Sequence, residues 1–225
     1  MHFLMIGGSG RIGSLVIEEA LSRGHQVTAL VRNPSSLTAR NNLHIVKGTS
    51  LETGDIDMAF EADPSSTPTA VVVALNARRA SDSPFSAPSP DTPQRMMADS
   101  VANAVVSMEK YGASKIVINS SVGTADSYDS LNCLMKGVMS YTNMKHQMVD
   151  HNAVDAETRE SGVNFVMVRP TMFTDGEAAD VKVYPDDGTG CGFMPKISRG
   201  SVARFMVVKA LETDEFDGRA PVISN

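Results

Sequence analysis

The segment Gly7-Gly8-Ser9-Gly10-Arg11-Ile12-Gly13 constrains this 225-residue chain more than any other. It satisfies G-x-G-x-x-G through Gly8, Gly10 and Gly13, and G-x-x-G-x-x-G through Gly7, Gly10 and Gly13. Before it stands HFLMI (2–6), an apolar run too short for a helix and read as a buried strand. After it, SLVIEEALSRG (14–24) repeats apolar residues at helical spacing and stops at Gly24. A turn without Cβ atoms between a strand and a helix lets the backbone approach a pyrophosphate, whose charge then meets the helix N-terminus. The turn therefore predicts a dinucleotide-binding βα unit.

The rest of the chain continues that rhythm. VTALV (27–31), NNLHIVKG (41–48), AVVVAL (70–75), KIVINSS (115–121) and NFVMVRP (164–170) read as strands. Helices are predicted over 96–112, over about 141–161 and over 201–212. Strands that are nearly continuous in apolar residues belong to a parallel sheet covered on both faces. The expected fold is α/β, a doubly wound parallel sheet of Rossmann type, in a single domain over 1–225. Two stretches interrupt it: SDSPFSAPSPDTP (81–93), with four prolines and four serines, and the Gly-, Asp- and Pro-rich 171–200. Both follow strands at the sheet edge where an open α/β fold binds its ligand, so both are expected to be substrate-side loops.

Lys and Arg number 20 against 26 Asp and Glu, a net charge of −6, which leaves no footprint for nucleic acid or an anionic membrane. The expected partner is a small-molecule substrate, for a monomer or a homodimer. No run of about 18 apolar residues and no secretory leader pattern is present, so a cytoplasmic protein is expected. Cys133 and Cys191 match no zinc or redox spacing and read as inert thiols. His2, His25, His44 and His146 show no metal-ligand spacing, so no metal is expected. Met96, Met97, Met108, Met135, Met139, Met144 and Met148 read as core filling and crevice wall. Asp126, Asp129, Asp186 and Asp187 read as solvated loop charges.

Nineteen residues past Gly13, where an NAD-binding unit places an acidic residue against the ribose 2′-hydroxyl, this chain has Arg32 in Val31-Arg32-Asn33-Pro34. A guanidinium suits a 2′-phosphate, and a charge-assisted contact of roughly 1.5–3 kcal/mol favours NADP(H) about ten- to a hundredfold.

The glycine spacing, LVRNP (30–34), INSS (118–121), RESGVNFVMVRP (159–170) and ISRGSVARFMVVKALETDEFDG (197–218) together resemble the atypical short-chain dehydrogenase/reductase family, in its NmrA-like NAD(P)H-binding branch. The likeness runs over nearly the whole chain and is poor from about 122 to 148. It implies that Gly7, Ser9, Gly10 and Ile12, with Arg11 beside them, meet the pyrophosphate. Arg32 and Ser35 would meet the 2′-phosphate, and Thr49 and Ser50 would lie beside adenine, Thr49 where the family usually has Asp. Leu75, Asn76 and Arg78 would pass under the nicotinamide ribose, Asn76 replacing a usual glycine. Met97 and Ser120 complete the cofactor set, and Ser121 and His151 would face the substrate.

Many family members protonate a carbonyl with a Tyr-x-x-x-Lys pair. Tyr141-Thr-Asn-Met-Lys145 matches that pattern, and on one helix both side chains would share a face. Anchoring instead on RESG (159–162) puts the tyrosine slot at Gln147 and the lysine slot at His151. Both registers stand at this point. The expected function is an NADPH-dependent oxidoreductase acting on a small or medium aromatic or conjugated acceptor. The alternatives are a non-catalytic NADP(H)-sensing protein and a cofactor-retaining isomerase or dehydratase.

Overall fold

The computed structural model describes residues 1–77, 79, 81 and 83–225. Six strands, β1 (His2–Ile6), β2 (Gln26–Val31), β3 (Leu43–Lys47), β4 (Ala70–Val73), β5 (Lys115–Asn119) and β6 (Phe165–Pro170), pair in parallel in the order β3-β2-β1-β4-β5-β6. Three-residue strands follow: β7 (Met172–Thr174) and β9 (Lys196–Ser198) form a separate parallel pair. The main sheet is completed by β10 (Val222–Ser224), parallel to β6, and by β8 (Lys182–Tyr184), antiparallel to β10 at the edge. The sheet is thus a mostly parallel, doubly wound α/β sheet of eight strands among the described residues.

Strand side chains alternate between two apolar layers, as a pleat of period two requires. Phe3 and Met5 pack with α1 (Arg11–Ser22) and α6 (Arg199–Phe205). Leu4 and Ile6 pack with α2 (Thr53–Phe60), α3 (Met96–Tyr111) and Val154 of α5 (Met144–Ser161). α4 (Cys133–Tyr141) sits between β5 and α5 in the chain. Gly112 and Gly162, both at φ +74°, end α3 and α5 in the left-handed region, as their sequence positions predicted. β1 lies between β2 and β4, so the winding reverses at its edges, and the carboxyl ends of β1 and β4 open the crevice of such a sheet.

Several expectations need correction. α1 begins at Arg11, inside the glycine turn, so Gly13 is a helical residue. The helix expected over about 141–161 is α5, which begins only at Met144; Tyr141 ends a separate helix, α4, and the chain breaks between them at Thr142 (φ −116°, ψ −179°) and Asn143. Thr142 Oγ1 donates back to Val138 O at 2.6 Å and accepts from Met144 N at 3.2 Å, which ends one helix and starts the next. The segment 171–200 contains β7, β8 and β9 and is not wholly loop. The last helix begins at Arg199, capped by Ser198 Oγ, and passes into a π-helical turn at Met206–Leu211. No helix among the described residues is long and apolar enough to cross a membrane.

Candidate functional site

The glycine turn is built so tightly that the backbone itself excludes side chains at Gly7 and Gly13. Gly7 has φ +87°, and a Cβ there would stand 2.4 Å from Ala74 O at the end of β4. A Cβ on Gly8 would meet Ile17 at 2.8 Å, and one on Gly13 would come within 2.2 Å of Gly7 O. Gly10 differs: its Cβ would meet only Gly7 O, at 3.3 Å, and Ala74 O, at 3.9 Å, and the residue is exposed at φ −81°, ψ 166°. The space above Gly10 is thus kept free for something other than the protein's own core.

What that space asks for is an anion. Gly10 caps α1 without a side-chain hydrogen bond, and no acidic residue lies in the first turn. A helix start bears about half a positive charge, and the first helical position is the cationic Arg11. Ser9 and Arg11 are exposed and Ile12 is half-buried around this point. The structure therefore holds a positive helix end beside a glycine-lined cradle, which fits a dinucleotide pyrophosphate.

At the carboxyl end of β2, Arg32 is exposed and has no ion pair among the described residues. Asn33 folds the next turn by accepting from Ser35 N at 3.2 Å and Ser35 Oγ at 2.9 Å. After β3, Thr49 N donates to Asp55 Oδ2 at 2.7 Å, and Ser50 Oγ bonds Ser100 Oγ on α3 at 2.8 Å. Asn103 Nδ2 donates to Ser50 O at 3.1 Å. Thr49 and Ser50 are held by these bonds at the same sheet edge as Arg32.

After β4, Asn76 is exposed, while Leu75 enters a small pocket with Val73, Met97, Val101, Ile118, Asn119, His151 and Val154. The free space there is about 10 Å³, room for one water molecule. Two buried polar atoms near the end of β5, Asn119 Oδ1 and Ser120 Oγ, have no partner among the described residues. Ser121, half-buried, donates through Oγ to Val122 O at 3.0 Å. Arg78 lies outside the described residues.

His151 is 3% exposed, and burial pushes its pKa down to about 4. The Gln147 amide nitrogen lies 3.4 Å from its Nε2, and the depressed pKa keeps the imidazole neutral near pH 7. Tyr141 and Lys145 are not assembled with it. Tyr141 is the last residue of α4 and 90% exposed, whereas Lys145 is the second residue of α5, so the single helix face that would join them is absent.

The buried face of α5 carries groups that sequence reasoning missed. Asp150 accepts from Met97 N at 2.9 Å and Ala98 N at 3.0 Å. Asp155 meets the fully buried Arg169 at 2.6 Å. Arg169 also donates to Asp126 at 2.5 Å and to Asp186 O at 2.6 Å. Asp186 Oδ2 accepts from Ala220 N at 2.9 Å. Asp126 and Asp186 are therefore not free solvated charges; they tie the segments after β5 and β6 to the end of β6. The one available signal was a helix whose buried stripe is polar, with Gln147, Asp150, His151 and Asp155 at helical spacing.

The proline loop docks on the α4–α5 junction: Asn143 Nδ2 donates to Phe85 O at 2.8 Å, and Arg79 Nη1 approaches Met144 Sδ at 3.0 Å. Asn132, which caps α4, donates to Phe193 O. Phe85 (74%), Leu134 (58%), Tyr141 and Phe193 (69%) stay exposed on segments that leave the carboxyl ends of β4, β5 and β6. No group of three or more His, Cys, Asp or Glu among the described residues is arranged to hold a metal.

A family model described as NAD(P)H-binding matches residues 7–214. Among curated proteins the chain is similar to the chloroplastic divinyl chlorophyllide a 8-vinyl-reductase of Cucumis sativus, 24% identical over 237 positions, covering 98% of this chain and 52% of that protein. The chain spans about half the length of the curated relatives it matches. Among solved structures it shares its fold with an anaerobillin reductase from Escherichia coli O157:H7, at TM-score 0.71 and 16% identity, covering 100% of this chain and 97% of that one. It also shares it with a short-chain dehydrogenase/reductase from Veillonella parvula in complex with NADP, at TM-score 0.74 and 14% identity, covering 100% and 94%.

Proposed function

The chain belongs to the NAD(P)H-binding family, and on that premise we propose that it is an NADPH-dependent oxidoreductase passing a hydride to a small or medium aromatic or conjugated acceptor of flavin, quinone or polycyclic type. The observation that carries this reading is the alignment of three features on one sheet edge. They are the positive start of α1 above the exposed Gly10, the exposed Arg32 at the end of β2, and the Leu75–Asn76 segment that follows the end of β4.

Gly7, Ser9, Gly10, Arg11 and Ile12 would hold the pyrophosphate through backbone donors and the helix dipole. Arg32 and Ser35 would take the 2′-phosphate, which distinguishes NADPH from NADH. Leu75, Asn76 and Met97, with Asn119 and Ser120 beneath, would seat the nicotinamide half. Bound NADPH supplies the hydride, from C4 of its nicotinamide. The chain's own work is then to orient the ring and to admit an acceptor.

A neutral His151 cannot act as an imidazolium acid near pH 7. Its part is to present an N–H or to hold a water in the space beside it, while Ser121 orients the acceptor. The exposed Phe85, Leu134, Tyr141 and Phe193 suit a flat apolar ring system. That two of the similar proteins are named for a chlorophyllide and an anaerobillin supports a conjugated acceptor. We assign the chain to the NmrA-like branch of atypical short-chain dehydrogenase/reductases and to the cytoplasm.

A second reading, NADP(H) sensing without turnover, is favoured by the burial of His151 and by the absence of an assembled Tyr–Lys pair. Mixing the protein with NADPH or NADH and a panel of menadione, riboflavin and a bilin, and following nicotinamide absorbance, separates the two. Acceptor-dependent oxidation that prefers NADPH supports the oxidoreductase; tight NADPH binding with no oxidation across the panel supports the sensor.

A further inference from the structure

Arg169, near the carboxyl end of β6, is fully buried, and its guanidinium joins three parts of the chain. Nη2 donates to Asp155 Oδ2 on α5 at 2.6 Å. Nη1 donates to Asp126 Oδ1 at 2.5 Å, on the turn Ala125–Tyr128 that follows β5, and to Asp186 O at 2.6 Å, just past β8. Against its desolvation cost a buried ion pair adds little net stability. What a planar guanidinium does fix is the direction in which each partner stands.

Both partners of Nη1 begin stretches that lead to exposed apolar side chains. From Asp126 the chain runs to Leu134 in the first turn of α4. α4 is tied back to that stretch, since Tyr128 Oη lies 2.8 Å from Ser140 Oγ and Lys136 Nζ donates to Asp129 O at 3.0 Å. From Asp186 the chain runs to Phe193. The two stretches lie side by side: a Cβ on Gly188 would stand 3.5 Å from the Cβ of Ser130, and Asn132 Nδ2 donates to Phe193 O. Leu134 and Phe193 thus stand on adjoining segments whose starts share one buried cation.

We propose that Arg169 is a positioning residue for the acceptor. By holding Asp126 and the Asp186 carbonyl on one nitrogen, it clamps the two segments together, so that Leu134 and Phe193 form a single apolar face on which the acceptor's ring system lies. The inference rests on the reading that an organic acceptor is reduced on this side of the sheet. It adds which residue sets the acceptor's seat. β4 and β5 separate β6 from β1 and its glycine turn, so the pyrophosphate cradle is not part of this clamp.

The variant that tests this is Asp126→Asn, which keeps size and removes the charge. The Asp126 carboxylate is half exposed, and Asp155 and the Asp186 carbonyl still hold Arg169 in the variant. NADPH oxidation is followed with whichever of menadione, riboflavin and a bilin wild type reduces fastest. D126N should raise the KM for that acceptor about three- to tenfold, with kcat and the NADPH Kd within about twofold of wild type. Phe193→Ala should raise the same KM. D126N added to Phe193→Ala should then cost less than about twofold more, because the face it positions is already lost. A general structural role would instead multiply the two effects.

If D126N does not fold, Asn132→Asp keeps the oxygen that caps α4 and removes the donor to Phe193 O, and the same split is expected. Where wild type turns over, an unchanged KM in the variant, an NADPH Kd that weakens with it, or full additivity with Phe193→Ala overturns the positioning role alone. No acceptor-dependent oxidation by wild type overturns the oxidoreductase reading and this inference with it.

Discussion

Gly10→Val separates binding from folding at the centre of the proposed site. A Cβ at Gly10 has ordinary backbone angles and only one close neighbour, Gly7 O at 3.3 Å, so the folded chain accommodates it with a small shift. The expected loss of stability is about 1 kcal/mol, the difference between a fair and a poor N-cap residue. The valine methyls, however, occupy the space in front of the first turn of α1. Two charge-assisted hydrogen bonds to phosphate can then no longer form, and together they are worth on the order of 3 kcal/mol or more, a hundredfold or greater drop in affinity. NADPH emission serves as the assay, since the chain has no tryptophan to confuse it, with circular dichroism and a urea titration as the folding control. Gly13→Val is the contrast: its Cβ would lie 2.2 Å from Gly7 O, so it should lose folding and binding together. A folded Gly10→Val protein that binds NADPH like wild type refutes the assignment of this turn.

Arg32→Ala should reduce an NADPH preference of at least about tenfold to near parity with NADH, read from paired titrations. With whichever acceptor is active, Tyr141→Phe should keep turnover within about threefold, because Tyr141 stands exposed at the end of α4; His151→Ala should lower it by about ten- to a hundredfold. Stability should also depend on pH through His151. Its pKa is depressed from 6.5 to about 4, so the unfolded chain binds the extra proton first, and stability present above pH 6.5 is lost as pH falls towards 4. That window is worth about 3 kcal/mol, and His151→Gln should flatten it in urea midpoints taken near pH 7 and near pH 4.

Much of the sheet was legible because β1 through β6 are short apolar runs set between glycines and helical patterns, and burial on both faces leaves such runs unbroken. β8 and β10 were not, since three-residue strands carry no period to read. The break at Thr142 was hidden for a different reason: Met139, Met144 and Met148 continue an apolar pattern across it, and the extended Thr142, with its hydroxyl bond to Val138 O, leaves no such signal. That hidden break is what made the Tyr141–Lys145 match look like one helix face.

In the candidate site, the tight turn at Gly7, Gly10 and Gly13 and the place of Arg32 at a strand end could be read locally, because both follow from short-range backbone geometry. Asp150 and Asp126 could not. Their partners lie 53 and 43 residues away in the chain, and a lone aspartate in sequence is indistinguishable from a solvated one. The proline loop was recognisable as irregular, while its attachment to α4 and α5 through Asn143 depends wholly on tertiary packing.

The central claim, that this chain passes a hydride from NADPH to an organic acceptor, is tested most directly by isotope transfer. NADPH carrying deuterium at the nicotinamide C4 position is mixed with enzyme and an active acceptor, and the products are read by mass spectrometry. With both C4 hydrogens replaced by deuterium and an active acceptor that is reduced at carbon, the account predicts oxidised NADP and one carbon-bound deuterium in the reduced acceptor, in wild type but not in Gly10→Val. Cofactor recovered unchanged, or an acceptor reduced without the label under conditions where it does not exchange, would contradict it.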